Sequence, residues 1–201
     1  MGVFSKGFTG RRRDHVEGLP PGQYLTESFP VLSTGPTPRI PLDEWRFTIT
    51  TERGEPVGWT WDELAALPHD DVTTDIHCVT SWSKFGTGWR GVSLDTLLDI
   101  AHAVNPSEAR FAMASSYGGY TTNLPVADLR GDKAWVATMF DSEPLAPEHG
   151  GPARLLVPHL YFWKSAKWVR GLRLMEHDAP GFWEQNGYHM YGDPWTEQRY
   201  W

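Results

Sequence analysis

Apolar and polar residues alternate over Trp45-Arg46-Phe47-Thr48-Ile49-Thr50, a period of two that predicts a half-buried strand. Similar short runs predict strands over Val72 to Ile76, Arg110 to Ala114, Tyr120 to Leu124, Trp135 to Phe140, Arg154 to Val157 and Trp168 to Met175. A turn at Gly118-Gly119 separates two of them. Helical periodicity is confined to two places. Thr60-Trp61-Asp62-Glu63 has the Thr-x-x-Glu form of a capping box and opens a short helix that Pro68 ends. Behind Ser93 as a cap, Leu94, Leu97 and Leu98 share one face of a helix running to Ile100. Short strands with few helices predict an α+β domain built mainly of strands. Residues 1–40 lack periodicity and carry Leu19-Pro20-Pro21-Gly22, Phe29-Pro30 and Gly35-Pro36-Thr37-Pro38, which predicts an extended arm wrapping over the domain. The partition expected is an arm over 1–40, a core over 41–180, and a tail over 181–201 whose seven aromatics pack onto the core.

A chain of 201 residues supports one sizeable core rather than two. Its formal charge of -7 excludes a general nucleic-acid binder, which needs clustered Lys and Arg. The one basic run, Arg11-Arg12-Arg13, is cut short by Asp14 and reads as solvated terminus. With 11 tryptophans, 16 prolines and 20 glycines, the composition favours irregular loops and pockets for planar ligands. No apolar run is long enough to cross a membrane, so stable insertion is not expected. Arginines near the N-terminus lack the apolar stretch of a signal peptide behind them. Together with a single cysteine, this gives a cytoplasmic location as the expectation.

That cysteine, Cys78, cannot form an internal disulfide or a Cys-pair zinc site. Any chemistry it has is that of one thiolate: a nucleophile, or one soft ligand to a metal. An inert buried thiol is the bland alternative. The strand over Val72 to Ile76 delivers His77 and Cys78 to its end, where a scaffold commonly presents reactive groups.

Three segments narrow the choice: His77-Cys78-Val79-Thr80-Ser81-Trp82-Ser83 with Trp89-Arg90-Gly91-Val92 after it, His149-Gly150-Gly151-Pro152-Ala153-Arg154, and Tyr161-Phe162-Trp163-Lys164-Ser165-Ala166-Lys167-Trp168. In order and spacing they resemble the sulfite oxidase-like molybdopterin oxidoreductases over roughly residues 25–190. The Cys-Val-x-x-Trp-Ser form is most similar to the branch containing the methionine-sulfoxide reductase catalytic subunit. The resemblance implies the sulfite oxidase-like fold, a molybdenum-molybdopterin cofactor and Cys78 as the thiolate ligand to the metal. Soft anionic sulfur suits a metal already held by sulfur, and His77 is placed to assist. The resemblance further implies pterin contacts from His149 and Arg154, phosphate binding by Ser165, Ala166 and Lys167, and a hydroxyl contact from Ser115. Phe182-Trp183-Glu184-Gln185-Asn186-Gly187-Tyr188 resembles the stretch of sulfite oxidases whose tyrosine faces the metal, which makes Tyr188 the candidate active-site phenol, with His189 beside it.

Two departures bear on substrate. Leu32 stands where sulfite oxidases place an anion-binding arginine, and Trp82-Ser83-Lys84 replaces the arginine pair that follows their cysteine. A pocket short of cations disfavours a small dianion, so sulfite is not the expected substrate and a sulfoxide or N-oxide is. Neither an immunoglobulin-like domain nor a Cys-x-x-Cys-His haem site is evident, so a separate redox protein is the expected electron partner. The rival readings are a cysteine hydrolase using Cys78, a zinc protein drawing on the eight histidines, and a molybdopterin carrier without turnover.

Overall fold

The computed structural model describes residues 17–201, so the Arg11-Arg12-Arg13 run lies outside the described residues. In chain order the elements are β1 (Tyr24–Leu25), β2 (Arg46–Thr50), β3 (Val57–Thr60), α1 (Trp61–Ala65), β4 (Asp70–His77), β5 (Trp82–Ser93), α2 (Leu94–Val104), β6 (Phe111–Ser116) and β7 (Thr121–Pro125). There follow β8 (Trp135–Phe140), β9 (Glu143–Pro144), β10 (Arg154–Leu156), β11 (Val169–Met175) and α3 (Phe182–Gln185). The α+β class and its preponderance of short strands agree with the periodicity.

Both predicted helices form for the expected reasons. Thr60 Oγ1 accepts from the Glu63 N–H while Glu63 Oε2 accepts from the Thr60 N–H, closing the capping box of α1. The helix ends at Ala65, since Pro68 drives the residue before it out of the helical region. Ser93 Oγ accepts from the Asp95 N–H, and Leu94, Leu97, Leu98 and Ala101 of α2 are buried. This helix runs past Ile100 to Val104, one turn beyond the apolar face.

The strands form two sheets. One has the order β3-β2-β11-β6-β7, with β11 parallel to β2 and antiparallel to β6. Trp45, Phe47 and Ile49 are fully buried against α2 and the inner faces of β6 and β11, each side chain worth about 1.5–3 kcal/mol of burial. The other runs β1-β5-β8-β10, with β4 on β5 and β9 on β8. Its cluster of Ile76, Cys78, Trp82, Trp89, Trp135, Ala137, Leu145, Leu156 and Phe162 forms a second, aromatic core.

The long strand β5 was not legible as a strand, because Gly86, Gly88 and Gly91 and two register shifts interrupt its pattern. It pairs with β4, β8 and, through Trp82 and Ser83, with Tyr24 and Leu25 of the arm. The expected arm therefore supplies a parallel edge strand of its own. Gly91 is required where β5 crosses β8: a Cβ there would lie 2.4 Å from the Val136 carbonyl oxygen and 2.7 Å from Ala137 Cα. Main chain cannot yield as a side-chain tip can. Gly91→Ala should cost about 1–3 kcal/mol of stability, seen as a lower urea midpoint at unchanged slope.

Candidate active site

Cys78 opens a tight hairpin between β4 and β5. Its N–H donates to the Trp82 carbonyl at 2.8 Å and its carbonyl accepts from the Ser81 N–H at 3.0 Å. Ser81 sits at φ 77°, completing a three-residue loop of the type-I-turn-plus-left-handed-residue kind. Two distant segments clamp this turn. From the arm, buried Gln23 donates through Nε2 to the Cys78 carbonyl at 2.9 Å. From the tail, Arg199 Nη1 donates to the Val79 carbonyl and reaches Ser81 Oγ at 3.5 Å.

The thiol faces a cavity of about 320 Å³. Its walls come from four places: Phe29, Pro30, Leu32, Ser33 and Thr34 of the arm; the Cys78 turn with Trp82; Arg154 and the 162–168 loop; and Trp183 and Tyr188 of the tail. Tyr120 completes them, its hydroxyl donating to the Trp163 carbonyl at 2.6 Å. Cys78 is 8% exposed. Burial pushes its thiol up, while hydrogen bonds from Thr80 and the charges of Arg199 and Lys167 oppose the rise.

Of the residues singled out from sequence, the structure gathers Cys78, Arg154, Ser165, Ala166, Lys167 and Tyr188 around this one cavity. Arg154 is fully buried, with its guanidinium 4.0 Å from the centroid of the Phe162 ring. It donates to the carbonyls of His149 (2.8 Å), Ser165 (2.7 Å) and Leu155 (3.4 Å), so much of its fork knits the loop together. Burial pushes its pKa down to about 9, which leaves it a cation at neutral pH. Lys167 Nζ donates to the Leu32 carbonyl at 2.7 Å and the Glu148 carbonyl at 2.6 Å, tying arm and loop. Burial, then Arg154, lowers it to about 8. Ser165 serves the loop: its hydroxyl accepts from the Val157 N–H at 2.8 Å and its own N–H donates to Phe162. Gly150, at φ +109°, lets His149-Gly150 pass over Lys167, whose Cα would be 3.0 Å from an added Cβ.

Three expected contacts fall outside the wall. His77, next to Cys78 on a pleated strand, bonds Ser83 Oγ through Nδ1 at 2.8 Å, and burial lowers its pKa. Ser115 lies on β6, its hydroxyl reaching the Gly171 carbonyl at 3.4 Å. The His149 ring stacks on Phe29 at 3.9 Å, behind the cavity-lining arm. Tyr188 is in the wall, wedged between Trp183 at 4.8 Å and Trp163 at 5.3 Å. Burial raises its pKa, as do the charge of Tyr200 and a hydrogen bond to it.

Sequence reasoning passed over Gln23, Thr80, Arg199 and the pair Lys164–Glu184. The pair is wholly buried at 2.7 Å. Lys164 Nζ also donates to Asn123 Oδ1 (2.8 Å), the Asn123 carbonyl (3.0 Å) and the Met190 carbonyl (2.6 Å), while Glu184 Oε1 accepts from Trp163 Nε1 (2.8 Å) and Thr122 Oγ1 (3.0 Å). Both residues lie inside quoted motifs, but nothing local tells that they meet.

The residues present suit a large, polar, sulfur-bearing ligand. A soft thiol meets two cations across an aromatic cavity. The indole Nε1 of cavity-lining Trp82 is buried without a hydrogen-bond partner, as a group awaiting a ligand's polar edge would be. Among the described residues no cluster of three His, Cys, Asp or Glu side chains could hold a metal, which removes the zinc reading there.

Comparison with known proteins agrees with this geometry. Residues 34–183 match the model of the oxidoreductase molybdopterin binding domain. The chain is 42% identical to an uncharacterized oxidoreductase, YuiH, of Bacillus subtilis, across 94% of this chain and 96% of that protein. It is 29% identical to the protein-methionine-sulfoxide reductase catalytic subunit MsrP of Gluconobacter oxydans over 74% of this chain and 52% of the relative. The sulfane dehydrogenase SoxCD of Paracoccus pantotrophus superposes with a TM-score of 0.63 at 20% identity, over 75% of this chain and 42% of that one, and shows the shared sulfite oxidase-like fold. The chain thus spans nearly all of the Bacillus protein but about half or less of the other two.

Lys164→Met strands the Glu184 carboxylate in the core and should destabilise the protein by about 3–5 kcal/mol in urea unfolding. Adding Glu184→Leu should recover most of that loss.

Proposed function

The chain belongs to the molybdopterin-binding oxidoreductase family and is an enzyme of that class, and from this premise we propose that it transfers an oxygen atom, with two electrons, to or from a small neutral S-oxide or N-oxide couple. The observation that carries the reading is the single buried thiol opening into a cavity edged by Arg154 and Lys167. In this reading Cys78 is the protein's thiolate ligand to molybdenum. When bound, the cofactor supplies the two-electron redox chemistry, and the protein supplies ligation, orientation and electrostatics.

Each residue's part follows from its place. Lys167, a cation at neutral pH, can pair with a pterin phosphate, and the N–H groups of Arg154 not spent on carbonyls can meet the same ligand. Trp82 Nε1 offers a neutral donor. Trp163, Trp183 and Tyr188 exclude water from the substrate side. Leu32 contributes an apolar side chain to the wall at the position where related sulfite oxidases carry a cation, and both cations that do line the cavity are committed to main-chain carbonyls. A neutral, polarisable substrate fits such a site better than sulfite, because in this reading the two cations meet the pterin phosphate and no further cation lines the cavity to balance two more negative charges.

Among the described residues no group of three or more His, Cys, Asp or Glu side chains is placed to hold a metal ion, and no helix is long and apolar enough to cross a membrane. A separate redox protein is therefore proposed as the electron partner. A silent molybdopterin carrier would keep the pterin contacts without turnover, and assay separates the two.

The enzyme from a molybdenum-replete host should carry near-stoichiometric molybdenum and pterin, and should turn over members of a sulfoxide and N-oxide panel with reduced viologen. Cys78→Ser should fall below about one hundredth of that activity. Turnover of sulfite alone would reject the neutral-substrate reading. Lys167 adds a pH signature. Its proton is held below pH 8 and lost above it, so pterin affinity of cofactor-free protein should drop as pH rises from 7 to 9. One charge-assisted hydrogen bond makes that drop about tenfold or more, measured by tryptophan quenching, and Lys167→Met should lose most of the drop between pH 7 and 8.

A further inference from the structure

We propose that Thr80 tunes the cysteine ligand: its hydroxyl donates to Cys78 Sγ and thereby limits the electron density the sulfur can give to molybdenum. This rests on the reading of Cys78 as the metal ligand. Thr80 Oγ1 lies 3.2 Å from Sγ, a normal O–H···S distance. The contact is a product of the hairpin. With Cys78 and Ser81 closed by the turn, residue 80 stands at the apex and its side chain folds back over residue 78. Thr80 itself is exposed and lines the cavity, so the hydroxyl sits at the same opening as the thiol.

The turn does not depend on this hydroxyl for its shape. Gln23 holds the Cys78 carbonyl, Arg199 holds the Val79 carbonyl and Ser81 Oγ, and the Cys78 N–H is tied to Trp82. Removing the hydroxyl therefore subtracts one donor from the sulfur and leaves its position fixed by main chain. A sulfur lone pair engaged by an O–H donates less to a metal. Hydrogen bonds to ligating sulfur accordingly raise the reduction potential of the centre, as outer hydrogen bonds to ligands do in general.

Thr80→Val has nearly the same shape and no donor, whereas Thr80→Ser keeps the donor. Both would be purified with bound cofactor beside wild type and Cys78→Ser. Metal content, the sulfur-to-molybdenum charge-transfer absorption and the midpoint potential of the bound metal would be measured on each. Thr80→Val should retain molybdenum, move the charge-transfer band to lower energy and shift the potential to more negative values, with Thr80→Ser at the wild-type position. A Thr80→Val protein with wild-type band and potential overturns the inference while leaving Cys78 as ligand. Loss of molybdenum from a folded Thr80→Val also overturns it, since the hydroxyl would then retain the metal rather than tune it. If Thr80→Val does not fold, Thr80→Ala makes the same comparison. Wild-type protein without molybdenum rejects the ligand reading itself, a failure distinct from the other two.

Discussion

The buried Lys164–Glu184 ion pair is the contact on which the site depends most. Two charges removed from water cost several kcal/mol each, and the cost is met only when geometry and further hydrogen bonds are good. Most of it is met here: the ammonium has Asn123 and Met190 as further acceptors and Glu184 Oε1 accepts from Trp163 and Thr122, while Glu184 Oε2 is buried without a hydrogen-bond partner. Those partners belong to β7, the 162–168 loop and the tail. The pair thus fixes the relative placement of the loop that carries Trp163 and the tail that carries Trp183 and Tyr188, two of the cavity's four walls. Burial pulls the Lys164 pKa down, and the Glu184 charge and hydrogen bond oppose that fall.

A second constraint acts on the opposite wall. The Cys78 turn carries its strain at Ser81 and is held by Gln23 from one end of the chain and Arg199 from the other. Lys167 joins the arm to the 162–168 loop through the Leu32 and Glu148 carbonyls. Arm, hairpin, loop and tail therefore close one cavity from four directions. Such closure suits a large ligand bound across many segments, because no single element has to bear its whole recognition.

Electrostatics bears on the proposed preference for a neutral substrate over a small anion. Arg154 and Lys167 are buried or half-buried and already donate to main-chain carbonyls. In the proposed reading they offer directed positive charge to a phosphate, while Trp82, Phe162, Trp163 and Tyr188 also line the cavity. Leu32, which lines the cavity from the arm, adds no cation there.

Much of this could be read from the chain alone. Alternation over Trp45 to Ile49, the capping box at Thr60 and the Ser93-capped helix are local codes, and local backbone sterics and hydrogen bonds enforce them. The three motifs put Cys78, Arg154 and Lys167 together because their spacing is shared with a family. Other features were decided only by tertiary structure. The burial of Lys164 against Glu184, the reach of Gln23 and Arg199 to one turn, and the retreat of His77, Ser115 and His149 from the cavity wall follow from chain segments far apart in sequence. Strand β5 was hidden because glycines broke its pattern where neighbouring main chain comes close. Sequence determined which residue types and local elements were available. Which polar groups ended up sharing a water-free interior was settled by packing, since a buried charge or donor takes whatever partner the fold brings within reach.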